Sequence, residues 1–458
     1  MTGTHPTAPK TMVLGASQLM SVNFYSSAWT DPRNDTRGYA TLAYWQEMAR
    51  VLEAANFDFL FFADVIGYPS DEEGVPAAAI REAVQTPAHD PLTIVSGLAA
   101  TVDRLNFVVT ASTTAERPFM HARRYATLDH LTGGRIGWNI VNSDNQTALV
   151  KLLGLGGITE HDTRYDRADE FLDATSALWE GSWEDDAVVF DQAGHTFADP
   201  DKVHPISHHG TFFDVEGIFT VVPGPQRTPT LFQAGASSRG REFAARTAEC
   251  VYIQADSIES ARTSVADIRE RAAKHGREAA DIKILNGISV VVADTDEEAA
   301  AIRAELVAAP TTEALAMHFL GWTGINLLKL DPSKPLSQRT EFGHSTVERY
   351  DDGPTVGEIL DGLRNSLGGL SITGSPTTVA DAMAGMMEQT DLDGFLIEPN
   401  FGGPEEYRVF AEKVVPLLAA RGLLKEPGEP MPLRQRLFGG ADGRINDRHR
   451  AAPFRVGR

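Results

Sequence analysis

The chain reads as an α/β protein, a (β/α)8 TIM barrel with long insertions in its βα loops. Three observations predict it. Apolar, β-rich runs alternate with helical patterns along most of the sequence. The runs are continuously apolar, as in parallel strands covered on both faces. Eight such runs occur, and helical pattern follows each, which is the repeat of a closed barrel. A doubly wound open sheet is the competing architecture, but no GxGxxG follows the first run.

The strands are expected at 12–17, 57–64, 105–112, 135–141, 229–234, 251–255, 283–292 and 394–399. Helical patterns fall at 42–55, 91–101, 120–131, 167–183, 239–247, 258–275, 297–308, 378–389 and 405–421. Three connections exceed ordinary loop lengths, at 142–166, 183–227 and 310–376. Long βα loops on a barrel build or cover its active site. Residues 1–430 thus form one barrel domain, and 431–458 a basic, Gly-rich tail expected to be extended or partly disordered and able to dock on another subunit.

The 458 residues carry 41 Lys and Arg against 63 Asp and Glu, a formal charge of −22. That balance argues against nucleic acid or an anionic membrane as partner, since both need clustered cations. The lone cysteine, Cys250, allows neither an intrachain disulfide nor a cysteine-based zinc site, which fits a reducing cytoplasm. Residues 1–10 lack a signal-peptide h-region, and no run approaches a membrane span.

The catalytic face of a barrel lies at the C-terminal ends of its strands, and polar residues gather there. The second strand ends in Asp64, and the third carries Thr110 and Ser112. The fourth ends with Asn139, Asn142 and Ser143, and the fifth with Gln233 and the turn 235–238. Each could merely start a turn; together they suit a ligand lying across the barrel mouth. The turn Gly235-Ala236-Ser237-Ser238 opens a helix. Its free N–H groups, two hydroxyls and the helix dipole suit a phosphate, and Gly235 lets the backbone approach closely. The plainer reading makes Ser237 or Ser238 an N-cap only. His161 and Tyr165 stand four apart, so a helix puts them on one face. His195, His204, His208 and His209 lack a regular metal-ligand spacing and read as a surface loop. His318 sits on an apolar helical segment, as a core residue or as a substrate contact. Asn23, Phe24, Tyr25 and Trp29 follow the first strand and could line a pocket.

The segments FFADV, ARRYATLDHLTGGRIGWNIVNS, EHDTRYDRADEF, LWEGSWEDDA, DPDKVHPISHHG and PQRTPTLFQAGASSRGREFAARTAECVY resemble the flavin-dependent monooxygenases of the bacterial luciferase-like superfamily. Within it they are most similar to the nitrilotriacetate, EDTA, dibenzothiophene-sulfone and long-chain alkane monooxygenase group. SITGSPTTVADAM and PLRQRLFGG fit the same pattern. The resemblance implies a barrel binding reduced FMN, supplied by a separate NAD(P)H-dependent flavin reductase. It also implies that O2 adds to the reduced flavin as a C4a-peroxyflavin, which oxygenates a small organic substrate. Carried over by position, Asp64, Thr110, His161, Tyr165 and Ser237 would bind FMN, with Asn139, Ser143, Gly235 and Ser238 close by. His318 and Asn23 are the catalytic candidates, His318 on a segment covering the substrate side. A homo-oligomer is expected.

Four positions depart from the pattern: Asn23 where many relatives carry His, Thr30-Asp31 within the Trp-Arg-x-Pro pattern, Asn142 before Ser143, and 116–119. All lie where substrate would enter, so the resemblance implies the cofactor and leaves the substrate open. Rival readings are an F420-dependent oxidoreductase of the same superfamily, a metal hydrolase built on the His-rich loop, and a non-catalytic flavin-binding protein.

Overall fold

The computed structural model describes residues 10–24, 28–142, 146–235, 237–338, 347, 350, 353–366 and 369–457. Eight parallel strands close into a barrel: Val13–Leu19, Phe59–Ala63, Asn106–Ser112, Ile136–Val141, Thr230–Gln233, Cys250–Ile253, Lys283–Val292 and Gly394–Glu398. Each pairs with the next. Closure comes from Val13 opposite Gly394, where the first strand meets the eighth. All eight expected strands form, with ends displaced by a few residues.

Alternation along the strands separates two cores. Leu60, Phe62, Phe107, Val109, Trp138 and Ile140 point outward into the layer beneath the helices. Val13, Phe59, Phe61, Val108, Phe232, Leu285 and Leu396 point inward and fill the barrel floor. The opposite, C-terminal ends carry the polar residues.

Three features were not foreseen. The strand Leu370–Gly374 lies within the third insertion and extends the sheet beside the far half of the long seventh strand. The second insertion is not a plain loop: it folds into two hairpins, Val188–Asp191 with Thr196–Ala198, and Ile206–His209 with Asp214–Gly217. Glu170 anchors the second hairpin by accepting from the N–H groups of Thr211, Phe212 and Phe213. The helix Thr312–Thr323 shares a separate apolar cluster with Ala79, Val84, Ile359 and Leu363.

The tail does not run out extended; it closes the barrel floor. The helix Leu433–Phe438 inserts Leu433 and Leu437 among the inward-facing residues. Gly137 leaves room for it, since a Cβ there would lie 2.8 Å from Leu433. Arg434 is buried and donates to Glu249 through Nε at 2.6 Å and Nη2 at 2.9 Å, and to the carbonyls of Gly443 and Thr228. The other Glu249 oxygen also accepts from Leu231 N–H at 3.0 Å. Arg436 reaches Asp58, Arg448 reaches Asp281, and Arg450 reaches Asp169 and Asp173. The basic tail is therefore neutralised by the barrel it belongs to.

Removing one partner of a buried pair strands the other charge, which costs about 3–5 kcal/mol. Arg434→Ala is expected to lose that much in urea unfolding; a loss below 1 kcal/mol would contradict the role assigned to the pair. Burial alone would raise the Glu249 pKa, but the Arg434 guanidinium outweighs it and holds the carboxyl well below its ordinary 4.5. A depressed carboxylate stabilises above its unfolded pKa and loses that contribution as pH falls. The gap between wild type and Arg434→Ala should therefore narrow below about pH 4.5.

Candidate active site

The mouth of the barrel is built from strand ends. Thr110 and Asn139 are register partners on the third and fourth strands, and Asn139 Nδ2 donates to Thr110 Oγ1 at 2.9 Å. Asn139 Oδ1 is buried and has no hydrogen-bond partner among the described residues, and the same holds for Gln233 Oε1 at the end of the fifth strand. Two acceptors that have left water without a donor are costly in a folded chain unless a ligand supplies one. On the far side, Tyr252 OH and Gln254 Nε2 both donate to Glu398 Oε1, the latter at 2.6 Å.

Asp64 is half-buried where the second strand ends. Burial raises its pKa to about 7; the charge of Asp90 adds to the rise, and the Val65 N–H opposes it. Asp90 is itself the N-cap of the turn Pro91–Ile94, accepting from Leu92 N–H at 2.9 Å. Its side chain is the one whose charge acts on Asp64.

A second wall stands where two helices begin side by side. Ser237 caps the helix Ser238–Thr247, its Oγ accepting from Gly240 N–H at 3.0 Å. His161 opens the helix His161–Gly181, and its Nε2 lies 3.5 Å from Ser237 Oγ. Asp162 Oδ1 sits 2.9 Å from His161 Nδ1, which orients the ring so that Nε2 faces the serine. The rings of His161 and Tyr165 pack edge to face at 5.2 Å. Glycine is required twice here. A Cβ on Gly235 would meet the Gly240 carbonyl carbon at 2.5 Å, and one on Gly240 would meet Tyr165 OH at 2.7 Å.

His161, Asp162, Ser237, Ser238, Arg239, Glu242 and Arg271 line an open cleft of about 450 Å³. Arg239 and Arg271 were not singled out from sequence. Arg239 follows Ser238 in the first helical turn and could have been; Arg271 comes from the helix Ile258–Lys274, and only the fold brings it near. Arg239 pairs with Asp166 at 2.8 Å, and Arg271 with Glu242 at 2.9 Å.

The remaining candidates sit apart from this wall. His318 lies on the helix Thr312–Thr323, only 1% exposed, with its ring 5.6 Å from that of Trp322. Its Nε2 has no hydrogen-bond partner among the described residues, and burial lowers its pKa to about 4, so it is neutral at pH 7. Asn23 is buried with its amide engaged at both ends. Nδ2 donates to the carbonyls of Glu82 and Ala83 at 3.1 and 3.3 Å, and Oδ1 accepts from Trp29 N–H at 3.0 Å. It ties loops together rather than presenting a free polar group. Ser143 and Tyr25 lie outside the described residues. In the His-rich run, His204, His208 and His209 pair with different carboxylates, Glu184, Glu170 and Asp214. That scatter does not form a common ligand set. No helix among the described residues is long and apolar enough to cross a membrane.

A barrel with a polar mouth, unfilled acceptors and a cleft between two helix starts narrows the field of known proteins. The sequence pattern described as luciferase-like monooxygenase matches residues 22–394. The chain belongs to that family. It is 42% identical to the long-chain alkane monooxygenase of Geobacillus thermodenitrificans, over 93% of this chain and 94% of that protein. It is 39% identical to the dimethyl-sulfide monooxygenase of Hyphomicrobium sulfonivorans, over 97% of this chain and 94% of that protein. Among solved structures, a riboflavin lyase with modified FMN and riboflavin superposes with a TM-score of 0.94 at 36% identity, covering 98% of this chain and 100% of that one. Motifs that the sequence analysis quoted for a luciferase-like resemblance therefore mark true family membership.

Asp64 gives a pH test within this family member. A raised carboxyl pKa stabilises fully below the unfolded value of 3.8 and loses that contribution as pH rises through about 7. Asp64→Asn cannot ionise, so its Tm in cofactor-free protein should gain on wild type between pH 5 and pH 8. A constant difference across that range would show that Asp64 does not titrate there.

Proposed function

We propose that the chain is the oxygenase of a two-component system that uses reduced FMN and O2 to oxygenate a small organic substrate. The observation that carries the reading is the pair of orphaned buried acceptors, Asn139 Oδ1 and Gln233 Oε1, beside the glycine-dependent turn at Ser237. An amide-bearing, hydroxylated, phosphorylated cofactor offers donors for the first and an anion for the second. Ser237, Ser238, His161 and Tyr165 would hold the phosphate end. Thr110, Asn139 and Asp64 would hold the deeper part, with Gly235 giving close approach. When bound, reduced FMN supplies the electrons that activate O2. A flavin reductase using NAD(P)H would deliver it in the cytoplasm.

The protein's own part is to order, dry and polarise the mouth. The helix around His318 is almost wholly apolar, which keeps water from the reacting centre. A neutral imidazole with a free nitrogen can take or return a proton, or hold a substrate by one hydrogen bond. Asp64 can enter as a neutral acid and so donate. An uncharged His318 among apolar neighbours favours an uncharged substrate, and the relatives at 42% and 39% identity are named for an alkane and a sulfide.

The test is turnover with reductase, NAD(P)H, FMN and ¹⁸O2 against alkanes, organic sulfides, heteroaromatics and amine carboxylates. Label in an uncharged product is the expected result. Hydrogen peroxide alone with every compound would sink the oxygenase reading, and turnover with reduced F420 in place of FMN would favour the oxidoreductase. His318→Ala should lower coupled product roughly 10²-fold while the FMN dissociation constant, read by fluorescence, stays unchanged.

A further inference from the structure

We infer that Glu82 is a positioning residue for His318, latching the helix Thr312–Thr323 to the loop that follows the first barrel strand. The inference rests on the reading of His318 given above. Thr311 is the N-cap of that helix, its Oγ1 accepting from Ala314 N–H at 3.0 Å. The same hydroxyl donates to Glu82 Oε1 at 3.0 Å. Glu82 therefore fixes the hydroxyl that fixes the helix start. Its own carbonyl accepts from Asn23 Nδ2 and, at 3.3 Å, from Trp29 Nε1. One buried residue thus joins the segments that follow the first, second and seventh barrel strands.

Its surroundings hold it in place. Ala83 and Gln85 flank the latch at φ 53° and 55°. Non-glycine residues in the left-handed region are strained, and persist only where packing over-determines them. That packing is visible along the helix. Arg81 pairs with Glu313 at its first turn. Ala79 and Val84 share an apolar cluster with Leu315 and Phe319. Gln85 closes on its last turn, so tightly that a Cβ on Gly321 would lie 2.2 Å from Gln85 Oε1. His318 sits between these anchors, roughly 10 Å along the axis from Thr311 at 1.5 Å per residue. A helix pinned at its start and near its end cannot slide or rotate. His318 Nε2 has no hydrogen-bond partner among the described residues, so where it points follows from the placement of this helix and the packing of the ring on Trp322.

A hydrogen bond to a charged group contributes about 1.5 kcal/mol or more, close to a factor of ten in an equilibrium. Glu82→Ala in the full enzyme with its reductase should lower product formed per reduced FMN consumed about tenfold, with FMN affinity unchanged. Hydrogen exchange should quicken in 312–323 and not in the barrel strands. Glu82→Gln keeps the Oε1 acceptor and should restore both readouts. Glu82→Asp withdraws the acceptor without removing the charge, and gives the same direction of change should the alanine variant fold poorly. Unchanged coupling in Glu82→Ala, exchange spread evenly over the barrel, or failure of Glu82→Gln to rescue would overturn the inference. Normal coupling in His318→Ala would instead remove the reading beneath it.

Discussion

A parallel barrel has two unlike ends, and the inward-facing residues of this one are sorted to match. Phe59, Val108, Phe232, Leu285 and Leu396 meet near the strand starts, where no water and no ligand is wanted. Thr110, Asn139, Gln254 and Glu398 occupy the other ends. The sorting stands only if the floor is closed, because an open floor would wet the apolar layer and remove its contribution of about 25 cal/mol per Å². Closure falls to a helix recruited from the far end of the chain. Leu433 and Leu437 supply the apolar plug, and the Arg434–Glu249 pair holds it against the sixth strand. That pair is buried and hydrogen-bonded on nearly every side, the arrangement in which a buried charge becomes tolerable.

At the mouth, one turn shows how stability and binding share atoms. Ser237 Oγ caps a helix and also faces His161 Nε2. The N-cap reading and the anion-site reading of this serine are thus compatible: the hydroxyl that completes the helix start is the one exposed to the cleft. The two glycines let the turn, the helix start and Tyr165 approach more closely than side chains would permit.

The barrel was legible because continuous apolar runs at regular spacing leave few other folds. The turn at Gly235 was legible because its residues are neighbours in sequence, as are His161 and Tyr165. What escaped was long-range. No local pattern distinguishes Arg434 from the other arginines of a basic tail, yet it finds Glu249 across 185 positions. Arg271 reaches the cleft only through the packing of one helix on another. The strand Leu370–Gly374 was hidden because its pairing partner, the upper half of Lys283–Val292, is a strand already complete in the sequence reading. Asn23 was legible as a pocket residue and misleading as a free one, since its partners Glu82 and Ala83 are backbone carbonyls that side-chain patterns cannot reveal.

The two titratable groups closest to the proposed chemistry share one tendency. Burial pushes Asp64 up towards neutrality and His318 down towards it. A buried carboxylate and a buried imidazolium would each need a counter-charge or water, and their neutral forms do not. Desolvation therefore acts on an acid and a base in opposite directions, and in each case favours the form without charge. The chain's formal net charge of −22 does not decide the state of either group; local burial does. Around them the mouth orients a ligand through groups already fixed by the fold, such as Asn139 held on Thr110, which need no rearrangement when the ligand arrives.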